Sequence, residues 1–168
     1  IIYHYYHGTS GIVRVLDNGL LDAGDESSQL TWMDAQVHGT PVTPRHGCPV
    51  EINALWFNAL SFVSDLRRTF GGAVDFDLAA AMGRLKEAFL AHFWIPEGGF
   101  LADVWLPAQQ RRDESVRPNQ MFAVSLPAPI LYTSPGSPLC MTTSMASQLS
   151  MTKSQSRTFL PSAYSGTF

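Results

Sequence analysis

The sequence is poor in cysteine and has no long apolar run, and each shortage excludes a class of protein. Its two cysteines, Cys48 and Cys140, stand far apart, so a small secreted domain held by disulfides is excluded. No apolar stretch reaches the ~18 residues that a spanning helix needs. No charged segment followed by an apolar one opens the chain, as a signal peptide would. We therefore expect a cytoplasmic protein without a membrane anchor.

Basic residues are few and scattered. The formal net charge is −3, and the longest basic runs are two pairs, at 67–68 and 111–112. Binding to nucleic acid or to an anionic membrane surface needs clustered Lys and Arg, so neither partner is expected. With 168 residues, 45% of them hydrophobic, the chain can bury one sizeable core. It begins with Ile rather than Met, and we expect a fragment of a longer protein.

The acidic residues stop at one point in the chain. All fourteen lie before residue 127, whereas the stretch 127–168 is rich in Ser, Thr and Pro and carries only Lys153 and Arg157 as charges. Such a composition is typical of a disordered linker, and a shifted reading frame would also erase a hydrophobic pattern. The sequence thus predicts a domain over 1–126 and a tail over 127–168 to which no function is assigned.

Hydrophobic periodicity predicts helices over 50–70 and about 75–92. The first would begin at Pro49, end at Gly71 and bury one apolar arc, formed by Ile52, Leu55, Trp56, Ala59, Phe62, Val63, Leu66 and Phe70. The second would bury a line formed by Leu78, Met82, Leu85 and Phe89. Shorter helices are predicted before Gly8 and from Pro118 to Leu126. Asn18-Gly19 favours a hairpin with positive φ at both turn positions.

One carboxylate, Asp34, stands two residues after Trp32. A carboxyl group beside an indole can act as a general acid, because the ring is a low-dielectric wall that favours the protonated form, and sugars stack on such a face. The structural alternative is that Asp34 caps a turn while Trp32 lies in the core. The pattern alone favours this alternative about two to one.

Several polar residues follow. Glu51 and Asn58 share one side of the predicted helix, although Glu51 also suits its first turn electrostatically. Asn53 would hydrogen-bond a loop or a substrate hydroxyl, and Arg45 would hold a ligand or pair with Asp34 or Glu51. His38, His46 and Cys48 lack the spacing of a zinc site, and "GGFLAD" does not form a phosphate-binding loop. No metal or other cofactor is expected.

Five segments together resemble a known family. "GLLDAG", "QLTWMDA", "TPR", "PVEINALWFNAL" and "RPNQMFAVSLP" occur in the order found in the amylo-α-1,6-glucosidase domain of glycogen debranching enzymes of bacterial and archaeal type. The resemblance covers roughly residues 1–126. It implies an all-α fold that is part of an (α/α)6 barrel of the six-hairpin glycosidase type, with small β-hairpins in its loops.

The resemblance also implies an activity and a site. The activity is inverting hydrolysis of the α-1,6-linked glucose left at a branch stub of glycogen or branched maltodextrin. Asp34 would be the general acid and Trp32 a wall of the glucose subsite. Seven further polar residues would line or support the glucose pocket: Arg45, Glu51, Asn53, Asn58, Arg117, Asn119 and Gln120.

In that family the general base is a Glu beyond the last helix present in this sequence. The resemblance therefore implies that the 168-residue chain alone is inactive. Two alternatives stay open. One is a different glycosidase on the same barrel, and the other is a module that binds polysaccharide without cleaving it, through Trp32, Trp56, Trp94 and Trp105.

Overall fold

The computed structural model describes residues 1–131, and all structural statements below concern these residues. Its four α-helices are α1 (Ile2–His7), α2 (Val50–Phe70), α3 (Leu78–Phe93) and α4 (Phe122–Ser125). Nine short strands accompany them: β1 (Val13–Val15), β2 (Leu21–Ala23), β3 (Gln36–Val37), β4 (Thr40–Pro41), β5 (Cys48–Pro49), β6 (Trp94–Ile95), β7 (Phe100–Leu101), β8 (Val104–Leu106) and β9 (Arg111–Asp113). Two 3-10 helices cover Pro107–Gln109 and Pro118–Met121.

The prediction of an all-α fold is wrong. The described residues form a mixed α/β structure with several antiparallel sheets, and they show no (α/α)6 barrel. Each strand has only two or three residues, which is too short for an alternating pattern to be read in the sequence. Some partners are also distant in the chain, as in the pairing of Cys48 with Trp105, and local periodicity carries no information on such pairs.

The strands lie in the segments of the chain that precede α2 and follow α3. Strands β5, β8 and β9 form a three-stranded antiparallel sheet in which β8 is central, and β8 is buried along its whole length. The other sheets are the hairpins β1–β2, β3–β4 and β6–β7. Ala23 and Gly47 exchange backbone hydrogen bonds of 2.7 and 3.0 Å, so the β1–β2 hairpin is attached to the segment that enters β5.

The long helices lie where periodicity predicts them. Pro49 was predicted to be the first residue of α2, and it is the N-cap that precedes the first residue. Gly71 ends the helix with a φ of 76°. Helix α3 begins after Asp77, whose side chain accepts a hydrogen bond from Ala80 N, as expected of a good N-cap. Its predicted buried line is largely confirmed, because Leu78, Leu85 and Phe89 are buried.

The apolar arc predicted for α2 is its buried side only in part: Trp56 of that arc is buried, whereas half of its members are exposed. The helix buries Val50, Glu51, Asn53, Ala54, Trp56 and Leu60, whereas Leu55, Phe62, Leu66 and Phe70 of the predicted arc are exposed. Glu51 and Asn53 are buried because each has polar partners across the loops. Burial of a polar side chain with its partners depends on tertiary contacts, which hydrophobic periodicity does not report.

The hairpin predicted around Asn18-Gly19 is confirmed, with Val13 opposite Ala23, but its turn is not of the predicted kind. Only Gly19 has a positive φ, of 90°, whereas the Asn18 side chain accepts a hydrogen bond from Leu20 N. A Cβ on Gly19 would lie 2.7 Å from Leu85 N. Glycine is therefore required both by the turn and by the close approach of α3.

The last described segment packs onto α2 and α4. The predicted helix from Pro118 to Leu126 forms as a 3-10 turn followed by α4. Beyond it Ile130 and Leu131 are buried, and Leu131 N donates to Ala123 O. The rest of the predicted tail lies outside the described residues. Up to residue 131, no helix combines the length and apolarity needed to cross a bilayer.

Candidate active site

A buried group of charged and amide side chains joins four distant parts of the chain. Its members, called the ionic cluster below, are Arg45, Glu51, Asp103, Arg117 and Asn119. All but Arg117 are less than 5% exposed. Four of the five were assigned to the glucose pocket in the sequence analysis, and the fold brings those four together.

Arg45 lies at the centre of the ionic cluster. Its guanidinium donates to both oxygens of Glu51, with Nη2 2.6 Å from Oε2. It also donates to both oxygens of Asp103, at 2.7 Å from Nε and 3.0 Å from Nη2. Burial alone would lower the pKa of Arg45, but Glu51 and Asp103 outweigh burial and raise it. Of the two acids considered as partners of Arg45, it is Glu51 that Arg45 contacts, and it does so together with Asp103.

Asp103 is a member that sequence reasoning missed. It immediately precedes β8 and is 2% exposed. An Asp inside the apolar run "FLADVWL" was a usable signal, because a carboxylate in such a run needs buried partners. Its carboxylate accepts from Arg45, from Arg117 Nη1 at 2.7 Å and from Asn119 Nδ2 at 2.9 Å.

Arg117 extends the ionic cluster towards the surface. Its Nη1 donates also to Asp113 at 3.0 Å, and its side chain is 24% exposed. Burial alone would raise the pKa of Asp113, but hydrogen bonds from Ser115, aided by Arg117, lower that pKa below its ordinary value. The ion pair is therefore formed over the neutral pH range.

Asn119 connects the ionic cluster to Trp32. The indole Nε1 donates to Asn119 Oδ1 at 3.0 Å, while the side chain of Trp32 remains largely on the surface and the residue is 62% exposed. Large aromatic rings are usually buried when they serve only the core. Here the nitrogen edge is anchored and most of the ring is open to solvent.

Asp34 is exposed and follows Trp32 in the segment before β3. The β3–β4 hairpin then turns through His38 and Gly39, whose φ angles of 50° and 77° are both positive, and leads to Arg45. Because Trp32 and Arg45 are both held by the ionic cluster, the loop 32–45 is fixed at its two ends. Asp34 lies within this loop and presents its carboxylate to solvent.

Three other residues assigned to the pocket make contacts with the protein. Asn53 is fully buried and bonds Leu21 N and Leu21 O of β2, as well as Pro49 O of β5, so its protein contacts are with strands rather than with a loop. Asn58 Oδ1 accepts from Ala128 N at 3.0 Å, and Gln120 Oε1 accepts from Leu101 N at 3.2 Å. Their amides are thus engaged with backbone in the described structure.

The three residues considered for a metal have different surroundings. His38 is an exposed turn residue and His46 is half-buried, whereas Cys48 is fully buried in β5. Burial, aided by the charge of Asp22, raises the pKa of the Cys48 thiol strongly, so it is a poor ligand and nucleophile. No group of three potential metal ligands is found in residues 1–131.

A cleft of about 470 Å³ lies beside the β1–β2 hairpin, and neither Trp32 nor Asp34 lines it. Its walls include the Arg14–Asp22 ion pair and His46. Trp32 and the loop that carries Asp34, called the platform below, are exposed at the surface among the described residues.

The sequence is similar to that of known proteins. The sequence pattern of the family described as amylo-alpha-1,6-glucosidase matches residues 1–146. The glycogen debranching enzyme of Saccharomyces cerevisiae is 28% identical over an alignment covering 68% of this chain. The chain spans about a tenth of that relative's length, since the match covers 10% of it. With most of its length matched, the chain belongs to the amylo-α-1,6-glucosidase family.

Proposed function

We propose that the chain supplies the glucose-binding platform and the proton donor of an inverting α-1,6-glucosidase. Trp32 would stack against the terminal glucose of a glycogen or branched maltodextrin stub, in a cytoplasmic enzyme. Asp34 would donate its proton to the departing glycosidic oxygen. The family assignment and the name of the yeast relative, glycogen debranching enzyme, support this substrate class.

The observation that carries the proposal is the state of Trp32. A ring that is 62% exposed and hydrogen-bonded at 3.0 Å through its nitrogen edge presents a fixed apolar face to solvent. The apolar face of a hexose packs on such a surface, and a rigid aromatic side chain loses little conformational entropy on binding. The indole N–H is already used, so recognition would proceed through the ring face.

Asp34 is suited to proton donation by its position. It stands two residues from Trp32 in a loop whose ends are fixed by the ionic cluster, and it is exposed. Asp103 and Glu51, by contrast, are buried and engaged with Arg45, so they have no free oxygen edge with which to meet a substrate. Of these three acids, Asp34 is the one that a bound sugar can reach.

Inversion requires a second carboxylate ~6.5–9.5 Å from the acid, which removes a proton from the attacking water. Glu51 and Asp103 do not fit this role because they are acceptors from arginine in the buried cluster. The stretch 127–168 contains no acidic residue. We propose that the base belongs to the part of a debranching enzyme that this chain does not cover, and that the 168-residue chain alone releases no glucose.

Binding is tested on the 168-residue chain by calorimetric titration with isomaltose and, as a linkage control, maltose. Trp32→Ala should weaken isomaltose binding by about 5- to 100-fold, as expected for loss of a stacking contact of about 1–3 kcal/mol. Asp34→Asn should retain binding, because it keeps the shape of the side chain. Equal affinity of Trp32→Ala and the parent chain would contradict the platform.

Catalysis is tested in a complete enzyme that carries these residues, assayed for glucose release from a limit dextrin. Asp34→Asn should reduce turnover by about two to four orders of magnitude with little change in substrate affinity. Undiminished turnover would refute the assignment of Asp34. A protein that binds isomaltose and shows no turnover in its complete form would instead be a polysaccharide-binding module.

A further inference from the structure

We propose that Asp103 is a positioning residue for the sugar platform, because it sets the orientation of the Asn119 amide and thereby the hydrogen bond that holds Trp32. Only the naming of the platform as a sugar site rests on the proposed function. The chain of contacts from Asp103 through Asn119 to Trp32 is called the relay below. It consists of two hydrogen bonds, from Asn119 Nδ2 to Asp103 Oδ1 at 2.9 Å and from Trp32 Nε1 to Asn119 Oδ1 at 3.0 Å.

The relay depends on the asymmetry of a carboxamide, which has a donor on one side and an acceptor on the other. The indole N–H of Trp32 can only donate, so it is satisfied only when Asn119 turns its oxygen towards it. If the amide of Asn119 rotated by half a turn, two donors would face each other at Trp32. What fixes this rotation therefore decides whether the indole is anchored.

Asp103 fixes the rotation because its carboxylate can only accept. Arg45 and Arg117 both donate to it, and Asn119 must offer its NH2 group to the same carboxylate. A reversed amide would place an oxygen against Oδ1 of Asp103, which is repulsive in a buried site. The carboxylate of Asp103 thereby determines how the surface ring of Trp32 is held, although the two side chains do not hydrogen-bond each other.

Anchoring the ring affects binding through preorganisation. An exposed Trp side chain rotates about two bonds, and freezing a free side chain on ligand binding costs conformational entropy. Because the hydrogen bond to Asn119 restricts Trp32 before the sugar arrives, part of this cost is already met by folding. Loss of the relay should weaken sugar binding without removing the ring itself.

The variant Asp103→Asn tests the relay while leaving each arginine a partner. Arg45 keeps Glu51 and Arg117 keeps Asp113, so two cations face two carboxylates. Oδ2 of Asp103 receives the two closest arginine contacts, both 2.7 Å, so the new amide oxygen should occupy that place. Its NH2 group would then face Asn119 and favour the reversed amide.

The control is Leu85→Ala, which opens a cavity in the core and removes a fully buried side chain beside Gly19 rather than one of the ionic cluster. Both variants should lower the unfolding temperature. The readout is the exchange with water of the Trp32 indole N–H, followed by ¹H–¹⁵N NMR of the 168-residue chain. Its four indole signals come from four tryptophans and are assigned by Trp→Phe replacements.

In Asp103→Asn we expect the Trp32 indole N–H to exchange about 2- to 10-fold faster, the equivalent of one ordinary hydrogen bond. Isomaltose should bind about 2- to 10-fold more weakly. In Leu85→Ala both quantities should stay at the parent values despite the lower stability. Equal effects of the two variants, or no change in the indole of Asp103→Asn, would overturn the relay.

A double-mutant cycle separates the relay from general damage. Trp32→Phe keeps a stacking ring but lacks the N–H. If Asp103 acts through that N–H, adding Asp103→Asn to Trp32→Phe should cause no further loss of isomaltose affinity, whereas additive losses would refute the relay. If the parent chain does not bind isomaltose, the proposed function fails, and the indole exchange still decides the relay.

Discussion

Arg45 and Asp103, 58 positions apart in the sequence, are joined by two hydrogen bonds of 2.7 and 3.0 Å in a region closed to solvent. This contact ties the loop that carries Asp34 to the start of strand β8. Because Arg45 also holds Glu51 in the first turn of α2, one side chain fixes the relative positions of a loop, a strand and a helix. The platform is built on this contact.

Removing Arg45 should therefore destabilise the protein strongly. Arg45→Ala leaves the buried carboxylates of Glu51 and Asp103 without their shared cation, and breaking a buried pair in this way costs about 3–5 kcal/mol. The matched control is Arg68→Ala, since Arg68 pairs with Asp65 on the surface, where such a pair contributes less than about 1 kcal/mol. Urea unfolding followed by circular dichroism measures both. Similar midpoints would contradict a buried cluster.

Asn53 should prove to be structural. Asn53→Ala leaves the N–H and C=O of Leu21 and the C=O of Pro49 without their side-chain partner, a loss of about 2–4 kcal/mol at about 1 kcal/mol or more for each bond. Asn58→Ala, with a single bond to Ala128 N, should cost about 0.5–1.5 kcal/mol. Isomaltose affinity should be unchanged in both. Affinity lost with stability retained would return these residues to the pocket.

The buried side of α2 is tested by two neighbouring positions. Leu60 is 1% exposed and Phe62 is 61% exposed. Leu60→Ala should cost about 2–5 kcal/mol, because it opens a cavity in the core, whereas Phe62→Ala should change the free energy of unfolding by less than about 1 kcal/mol. Thermal unfolding of the two variants gives the ranking. The reverse order would restore the apolar arc that periodicity favours.

Gly19 should tolerate no side chain. In Gly19→Ala the new Cβ meets the backbone of α3 at 2.7 Å from Leu85 N, in addition to a φ of 90°. Gly11 has a φ of 68° and open space around its Cβ position, so Gly11→Ala carries only the backbone strain of about 1–3 kcal/mol. We expect Gly19→Ala to exceed Gly11→Ala by about 1–3 kcal/mol. Equal unfolding temperatures would show that the hairpin moves freely away from α3.

The lowered pKa of Asp113 predicts how the stability of the protein changes in acid. Burial alone would raise its pKa, but Ser115 and Arg117 lower the pKa below its ordinary value of 3.8. A carboxyl group with a lower pKa in the folded state stabilises above its unfolded pKa, and this contribution disappears as the pH falls through the folded value. The difference in unfolding temperature between the parent and Asp113→Asn should be complete above about pH 5 and shrink below about pH 4.

The control for this pH dependence is Ser115→Ala, which removes the hydroxyl that donates to Asp113 at 2.6 Å. Losing one of the bonds that lower the pKa should make the acid-dependent part of the difference smaller, while Arg117 still pairs with Asp113. Calorimetry at pH 3–6 provides the curves. A constant difference between parent and Asp113→Asn at every pH would contradict the ion pair with Arg117.

The helices and the family are the part that the sequence by itself determined. Periodicity located α2 and α3 to within a few residues, and Pro49 and Gly71 mark the ends of α2, because helix formation and capping depend on neighbours along the chain. Motif order identified the family in the same local way. The role of Asp34 rests on that resemblance and stays a prediction.

The pairing of β5 with β8, much of the buried side of α2 and the ionic cluster were decided by tertiary structure. Strands β5 and β8 join segments far apart in the chain, as Cys48 pairs with Trp105. Glu51 is buried on α2 because Arg45 reaches it from a loop, and Asp103 was missed because its partners are up to 58 positions away. Charges are buried only when partners converge on them, and convergence is a property of the folded chain that no local pattern encodes.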